Sequence, residues 1–119
     1  MTLSRRFFLT ASYLAAILLM AFGVWFFVSP DEALVGTHHL LDTLPLVMGG
    51  RYLFFGALLL AALRYQDVKV LGTLLIGFAG LGILDGLLYW SANPWPHFGV
   101  GFLALFSALY FFKTGKVAA

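Results

Sequence analysis

The chain has 119 residues, enough for one compact domain, of which 62% are hydrophobic and 10% charged, with a formal net charge of +2. A soluble domain carries about 25% charged residues, so this chain lacks the polar groups to cover a water-facing surface, and its exterior must meet lipid. Its seven basic residues form no stripe for nucleic acid, and the absence of cysteine excludes disulfides, thiolate metal sites and cysteine nucleophiles.

A bilayer core takes about 20 apolar residues as a helix. Four stretches qualify, at about residues 7–28, 45–64, 68–90 and 94–113. The first, "FFLTASYLAAILLMAFGVWFFV", follows Arg5 and Arg6. "SRRFFL" resembles a twin-arginine export signal. The apolar run is long for one, however, and no small-x-small cleavage site follows it before Ser29. The expectation is therefore a retained first span with flanking positive charge. "SPDE" at 29–32 closes it and reads as a capping box, with Ser29 as N-cap, Pro30 at N1 and Glu32 at N3. It should open a short interfacial helix ending near Gly36.

The loop that follows contains "THHLLD", with His38, His39 and Asp42. Residues 38 and 42 would share a face if the stretch were helical, and His/His/Asp is a ligand set for zinc or copper. Adjacent histidines on a helix diverge by about 100°, which makes a poor chelate. The plainer reading is loop polarity at headgroup level.

Thr43 is placed to cap the second span, with Pro45 in its first turn, and Arg51 lies further in, within "MGGRYLFFG". "RYQDVK" (64–69) reads as a tight polar turn. The third span carries Gly72, Gly77, Gly80, Gly82 and Gly86. Small residues let helices approach closely in lipid, and the Gly82/Gly86 G-x-x-x-G is expected to serve packing inside the fold rather than a dimer face. Asn93 is placed to cap the fourth span, with Pro94 at N1 and Pro96 still in the first turn, where a missing N–H costs little. The expected fold class is all-α: a single-domain integral membrane antiparallel four-helix bundle with every backbone group satisfied inside its own helix.

In such a bundle Arg5, Arg6, Arg64, Lys69, Lys113 and Lys116 fall on one side, which the positive-inside rule makes cytoplasmic, along with both termini. Trp25, Tyr89, Trp90 and Trp95 fall near the other interface, as an aromatic belt does. The cytoplasmic half offers only hydroxyls such as Thr10, Ser12, Thr73 and Ser107, so no continuous polar path through one bundle is expected.

Arg51 alone among the basic residues falls in the outer half. At 1.5 Å per residue it lies about 9 Å into its helix. Asp85 lies about 7.5 Å, and His97 about 6 Å, from the same side of the membrane. A lone charge deep in a span costs about 2.5–3.5 kcal/mol on the insertion scale. Pairing Arg51 with Asp85 would remove most of that cost, with His97 beside them. Tyr52 adjoins Arg51, and Tyr89 shares the face of Asp85. Two readings stay open: an ion pair that fixes helix order, or an outward-facing pocket for a headgroup, a quinone carbonyl or a small anion.

Several chemistries lack their parts. The chain has no H-E-x-x-H, no G-x-S-x-G and no P-loop. With His97 the sole histidine inside a span, bis-histidine haem ligation is disfavoured. No nucleophile stands beside the Asp85/His97 pair.

"FGVWFFVSP", "GGRYLFFGALLLAA", "GILDGLLYW" and "HFGVGFLAL" together resemble the small four-helix bacterial inner-membrane proteins akin to the DoxX-like group. That resemblance implies a multi-pass inner-membrane protein, sometimes linked to redox or quinone partners, and supplies no reaction. The leading expectation is a non-enzymatic accessory or ligand-binding subunit, with Arg51, Tyr52, Asp85, Tyr89 and His97 as pocket residues and quinone or lipid as the ligand class. Its partners would be the bilayer and a larger membrane complex or a homo-oligomer. The alternatives are a membrane-embedded enzyme using His97 and Asp85 as an acid–base pair on a lipid, quinone or isoprenoid, and a small transporter subunit.

Overall fold

The computed structural model describes residues 3–118, and all its regular elements are helical. They are α1 (Leu3–Val28), α2 (Pro30–Gly36), a 3₁₀ turn (Leu41–Thr43), α3 (Leu44–Tyr65), α4 (Val68–Leu88) and α5 (Trp95–Thr114). Within α1 the side chains at 5, 9, 11, 12, 15 and 16 lie outside the described residues. The flanking charge expected from Arg5 and the hydroxyl expected from Ser12 therefore lie outside them too. The chain divides into two compact units, one reaching Gly49 and the other starting at Gly50.

In the first unit α1 packs on α2. Ala33 is fully buried, and the Trp25 indole lies over Gly36, where a Cβ would collide with it. Phe22 stacks on Trp25 at 6.4 Å. Ser29 stands at the N-cap of α2 with Pro30 at N1, but its side chain makes no capping bond. The reciprocal half of the expected capping box, Glu32 reaching back to the Ser29 N–H, has no orphan donor to satisfy, because that N–H already donates to Trp25 O at 2.9 Å. Thr43 does not cap α3 either. Its Oγ1 donates backward to Leu40 O at 3.1 Å, closing the 3₁₀ turn from which the chain runs straight into α3.

The second unit is built on the α4–α5 pair. Asp67 caps α4: its carboxylate accepts from the N–H groups of Lys69 (2.8 Å) and Val70 (3.2 Å). The turn from α3 needs a left-handed residue, and Gln66 supplies it at φ 56°. Its amide donates to Leu63 O at 2.6 Å. α4 stops at Leu88, two residues short of the expected Trp90, and α5 starts at Trp95. Asn93 has no capping role, because Pro94 itself occupies the N-cap with αR dihedrals. Its carbonyl accepts from the Phe98 N–H at 3.0 Å. Gly115 closes α5 in the left-handed region at φ 66°, with its N–H on Phe111 O at 2.8 Å.

α4 and α5 run antiparallel, with Gly72 against Phe112, Gly82 against Gly101 and Gly86 against Phe98. The buried cluster is made of small residues and a few leucines: Ala62, Leu71, Leu75, Ala79, Ala104 and Ala108. Both glycines of the G-x-x-x-G are buried and spent on this pair. α3 joins α4 through Ala62 in that cluster and through Phe55, whose ring lies 5.7 Å from that of Phe78.

Among the described residues no polar or charged side chain is buried, while large apolar side chains are exposed along every long helix. That inversion of the soluble pattern fits a lipid exterior. Among the described residues three segments are long and apolar enough to cross a membrane: Leu41–Tyr65, Val68–Leu88 and Trp95–Thr114. In α1 the described apolar run is the shorter Ile17–Val28.

Candidate functional site

At the end of the α4–α5 pair nearest its loop the Tyr89 and His97 rings meet, with Asp85 one turn before Tyr89 on α4. Asp85 and Tyr89 are one turn apart on α4, and the Tyr89 N–H donates to Asp85 O at 2.9 Å as the helix closes. His97 lies in the first turn of α5. Its imidazole stacks on the Tyr89 ring, with centroids 5.0 Å apart and planes inclined by 11°. Gly86 sets this spacing from behind, since a Cβ there would come within 2.5 Å of the Phe98 ring. Asp85 and His97 are both half-buried.

Arg51 and Tyr52 belong to the same unit but are exposed on α3. Among the described residues Arg51 makes no hydrogen bond or ion pair, and neither does the Asp85 carboxylate. The expected Arg51–Asp85 bridge is therefore not formed here. The contacts that hold α3 to α4, at Phe55 and Ala62, lie one or more turns beyond Arg51 toward the C-terminus of α3. The structure thus brings Tyr89 and His97 together, with Asp85 one turn away on α4, and leaves Arg51 and Tyr52 exposed on α3.

The loop histidines have other occupations. His39 Nδ1 is 2.6 Å from Thr37 Oγ1, and its ring stands edge-on to Phe26 at 5.8 Å. His38 is exposed in the left-handed region at φ 57°, and Asp42 sits in the 3₁₀ turn. The stretch is not one continuous helix, so residues 38 and 42 do not share a helical face. Among the described residues no three His, Asp or Glu side chains gather as a metal site.

One participant was missed in the sequence. Phe98 packs with Trp90, Trp95 and Phe102, each with ring centroids at 6.1 Å, and its ring lies against Gly86, next to Asp85 in the chain. The signal was present as the 95/98/102 spacing on one face of α5 opposite a glycine of α4. Chemically, the site offers a flat aromatic pair, an imidazole that can donate or accept, and a carboxylate without an internal partner.

Helices of this length and apolarity, packed on glycine and alanine and carrying polar groups at one end, define an all-helical protein of membrane type. The chain belongs to the family described as a domain of unknown function, DUF4267, whose model matches residues 16–111. Searches of curated proteins and of solved structures each return no match.

Proposed function

We propose that the chain is a multi-pass membrane protein of the bacterial inner membrane that binds a polar or aromatic headgroup at Asp85, Tyr89 and His97, as a ligand-binding or accessory subunit. The observation that carries this reading is the half-buried Asp85 carboxylate, which makes no hydrogen bond or ion pair among the described residues. An ionisable group within a span is costly when unpaired, so a carboxylate left open beside a stacked imidazole calls for an external partner. A quinone/quinol headgroup fits this chemistry: its ring can stack on the Tyr89/His97 pair, a quinone carbonyl can accept from the imidazole, and the hydroxyl of the reduced form can donate to the Asp85 carboxylate. The likeness to the DoxX-like group adds weight to a quinone over a small anion. Arg51, exposed one helix away, is available to a larger membrane partner or to a second copy of the chain. In this reading four spans form the bundle, and the placement of six of the seven basic residues supports cytoplasmic termini.

The test is quenching of tryptophan fluorescence by a short-chain ubiquinone analogue in micelles, since Trp90 and Trp95 flank the site. Wild type should quench saturably. His97→Gln should weaken binding of the quinone, and Asp85→Asn binding of its reduced quinol form, by up to about tenfold, the loss expected for one hydrogen bond, without lowering thermal stability. Equal binding by wild type and both variants would sink the proposal.

A further inference from the structure

On a different face, an open groove of about 890 Å³ runs between α3 and α4. Leu58 and Tyr65 line it from α3, and Lys69, Thr73, Gly77 and Leu81 line it from α4 at four-residue intervals. We propose that this groove holds one acyl chain of an anionic phospholipid, with the Lys69 ammonium on the headgroup phosphate.

Three observations converge on that occupant. First, the groove is apolar along its length and carries a single charged side chain, Lys69, at one end. The neighbouring acid does not neutralise it: the Asp67 carboxylate is turned onto the N–H groups of Lys69 and Val70. Among the described residues the Lys69 ammonium makes no ion pair. Second, the length fits one leaflet. Twelve residues separate Lys69 from Leu81, or about 18 Å of helix, against about 15 Å for half a bilayer core. Third, the middle of the groove is empty by sequence, since a Cβ on Gly77 would meet nothing within 4 Å. A cation in the first turn of a span, at the end of an open and mostly apolar groove, is the complement of an anionic lipid and not of an apolar helix, which would leave Lys69 unmatched. This site is independent of the Asp85/His97 site, and neither proposal rests on the other.

The experiment is native mass spectrometry of the full chain released from micelles, with dioleoylphosphatidylglycerol or dioleoylphosphatidylcholine added at equal concentration. Wild type should hold the anionic lipid over the zwitterionic one by about fivefold, the factor one surface cation supplies toward anionic lipid. Lys69→Ala should bring that ratio near one, and Gly77→Leu, which plants a side chain in the open space, should reduce adducts of both lipids. If Lys69→Ala fails to fold, Lys69→Gln keeps the apolar stem and tests the charge alone. The inference is overturned if wild type shows no preference, if the preference survives loss of the Lys69 charge, or if Gly77→Leu retains its adducts. A dimer in place of lipid adducts, or displacement of the lipid by inorganic phosphate, would overturn it as well.

Discussion

The tightest approach of a glycine to neighbouring backbone, among the described residues, makes the sharpest prediction. An alanine Cβ at Gly82 would lie 2.6 Å from Gly101 Cα, 2.7 Å from Gly101 N and 2.8 Å from His97 O. All three atoms are backbone, so no rotamer change relieves the clash. Reaching ordinary contact at about 3.4 Å requires α4 and α5 to part by about 0.8 Å, which loosens every contact along the pair. Overpacking of this kind costs about 3 kcal/mol at the upper end of its range. Replacing an interior helical glycine by alanine returns about 1 kcal/mol, so Gly82→Ala should be destabilised by a net of about 2 kcal/mol. Gly80→Ala and Gly99→Ala are the controls: a Cβ there meets nothing within 4 Å, and each should be neutral or up to about 1 kcal/mol more stable. Unfolding by sodium dodecyl sulfate titrated into mild micelles, followed by far-UV circular dichroism, reads the difference. Equal midpoints for Gly82→Ala and Gly80→Ala would refute the claim that backbone contact at Gly82 and Gly101 sets the spacing of the pair.

Three further outcomes are expected. Asp67→Ala should cost about 1 kcal/mol in the same titration through loss of the α4 cap, and Asp67→Asn should keep most of it; equal losses would assign the effect to charge. Arg51→Ala and Asp85→Ala should add to within about 0.5 kcal/mol in the double variant, because no bridge joins them; a coupling well above that value would show that a pair does form. The chain has no cysteine of its own, so single cysteines report topology cleanly. Gln66→Cys in intact cells should resist a membrane-impermeant maleimide that labels Ala92→Cys, and the reverse pattern would invert the orientation assigned from the basic residues.

Helix positions were legible because length and apolarity in lipid leave the backbone no other choice. The inward face was legible only where residue size marked it. On α4 the small residues Gly72, Ala79, Gly82 and Gly86 recur at one-turn or two-turn spacing, and all four are buried. On α3 the same cue misleads: Gly49, Gly50 and Gly56 border open space, and the packing is carried by Ala62. In a soluble helix an apolar stripe would have settled the matter, but a helix that is apolar all round marks no face. The caps failed for a related reason. Ser29, Thr43 and Asn93 are good capping residues by type, yet type alone fixes neither where a helix starts nor where the side chain turns. At Thr43 the hydroxyl closes the preceding turn on Leu40 O, at Asn93 a proline has taken the N-cap position, and nothing in the structure explains the unused Ser29 hydroxyl. Asp67, preceded by a left-handed Gln66 that breaks the helical path, is the one that caps.

The polar layer divides along the same line. Depth follows from residue counting, so Asp85, Tyr89 and His97 could be set at one level, and the short α4–α5 loop then brings the Tyr89 and His97 rings into contact. Arg51 has the same depth but depends on the rotation of α3, which nothing in its apolar surroundings specifies. A charge unmatched within its own fold is costly in lipid, and it lowers that cost by facing headgroups, water or another chain. Arg51 on the exposed face of α3 and Asp85 at the α4–α5 end have no partner among the described residues, so both are directed to something outside the fold. That points to a protein whose outer surface is unfinished by itself, and it makes the occupant of the Asp85/His97 site, rather than an internal salt bridge, the stabilising element to look for.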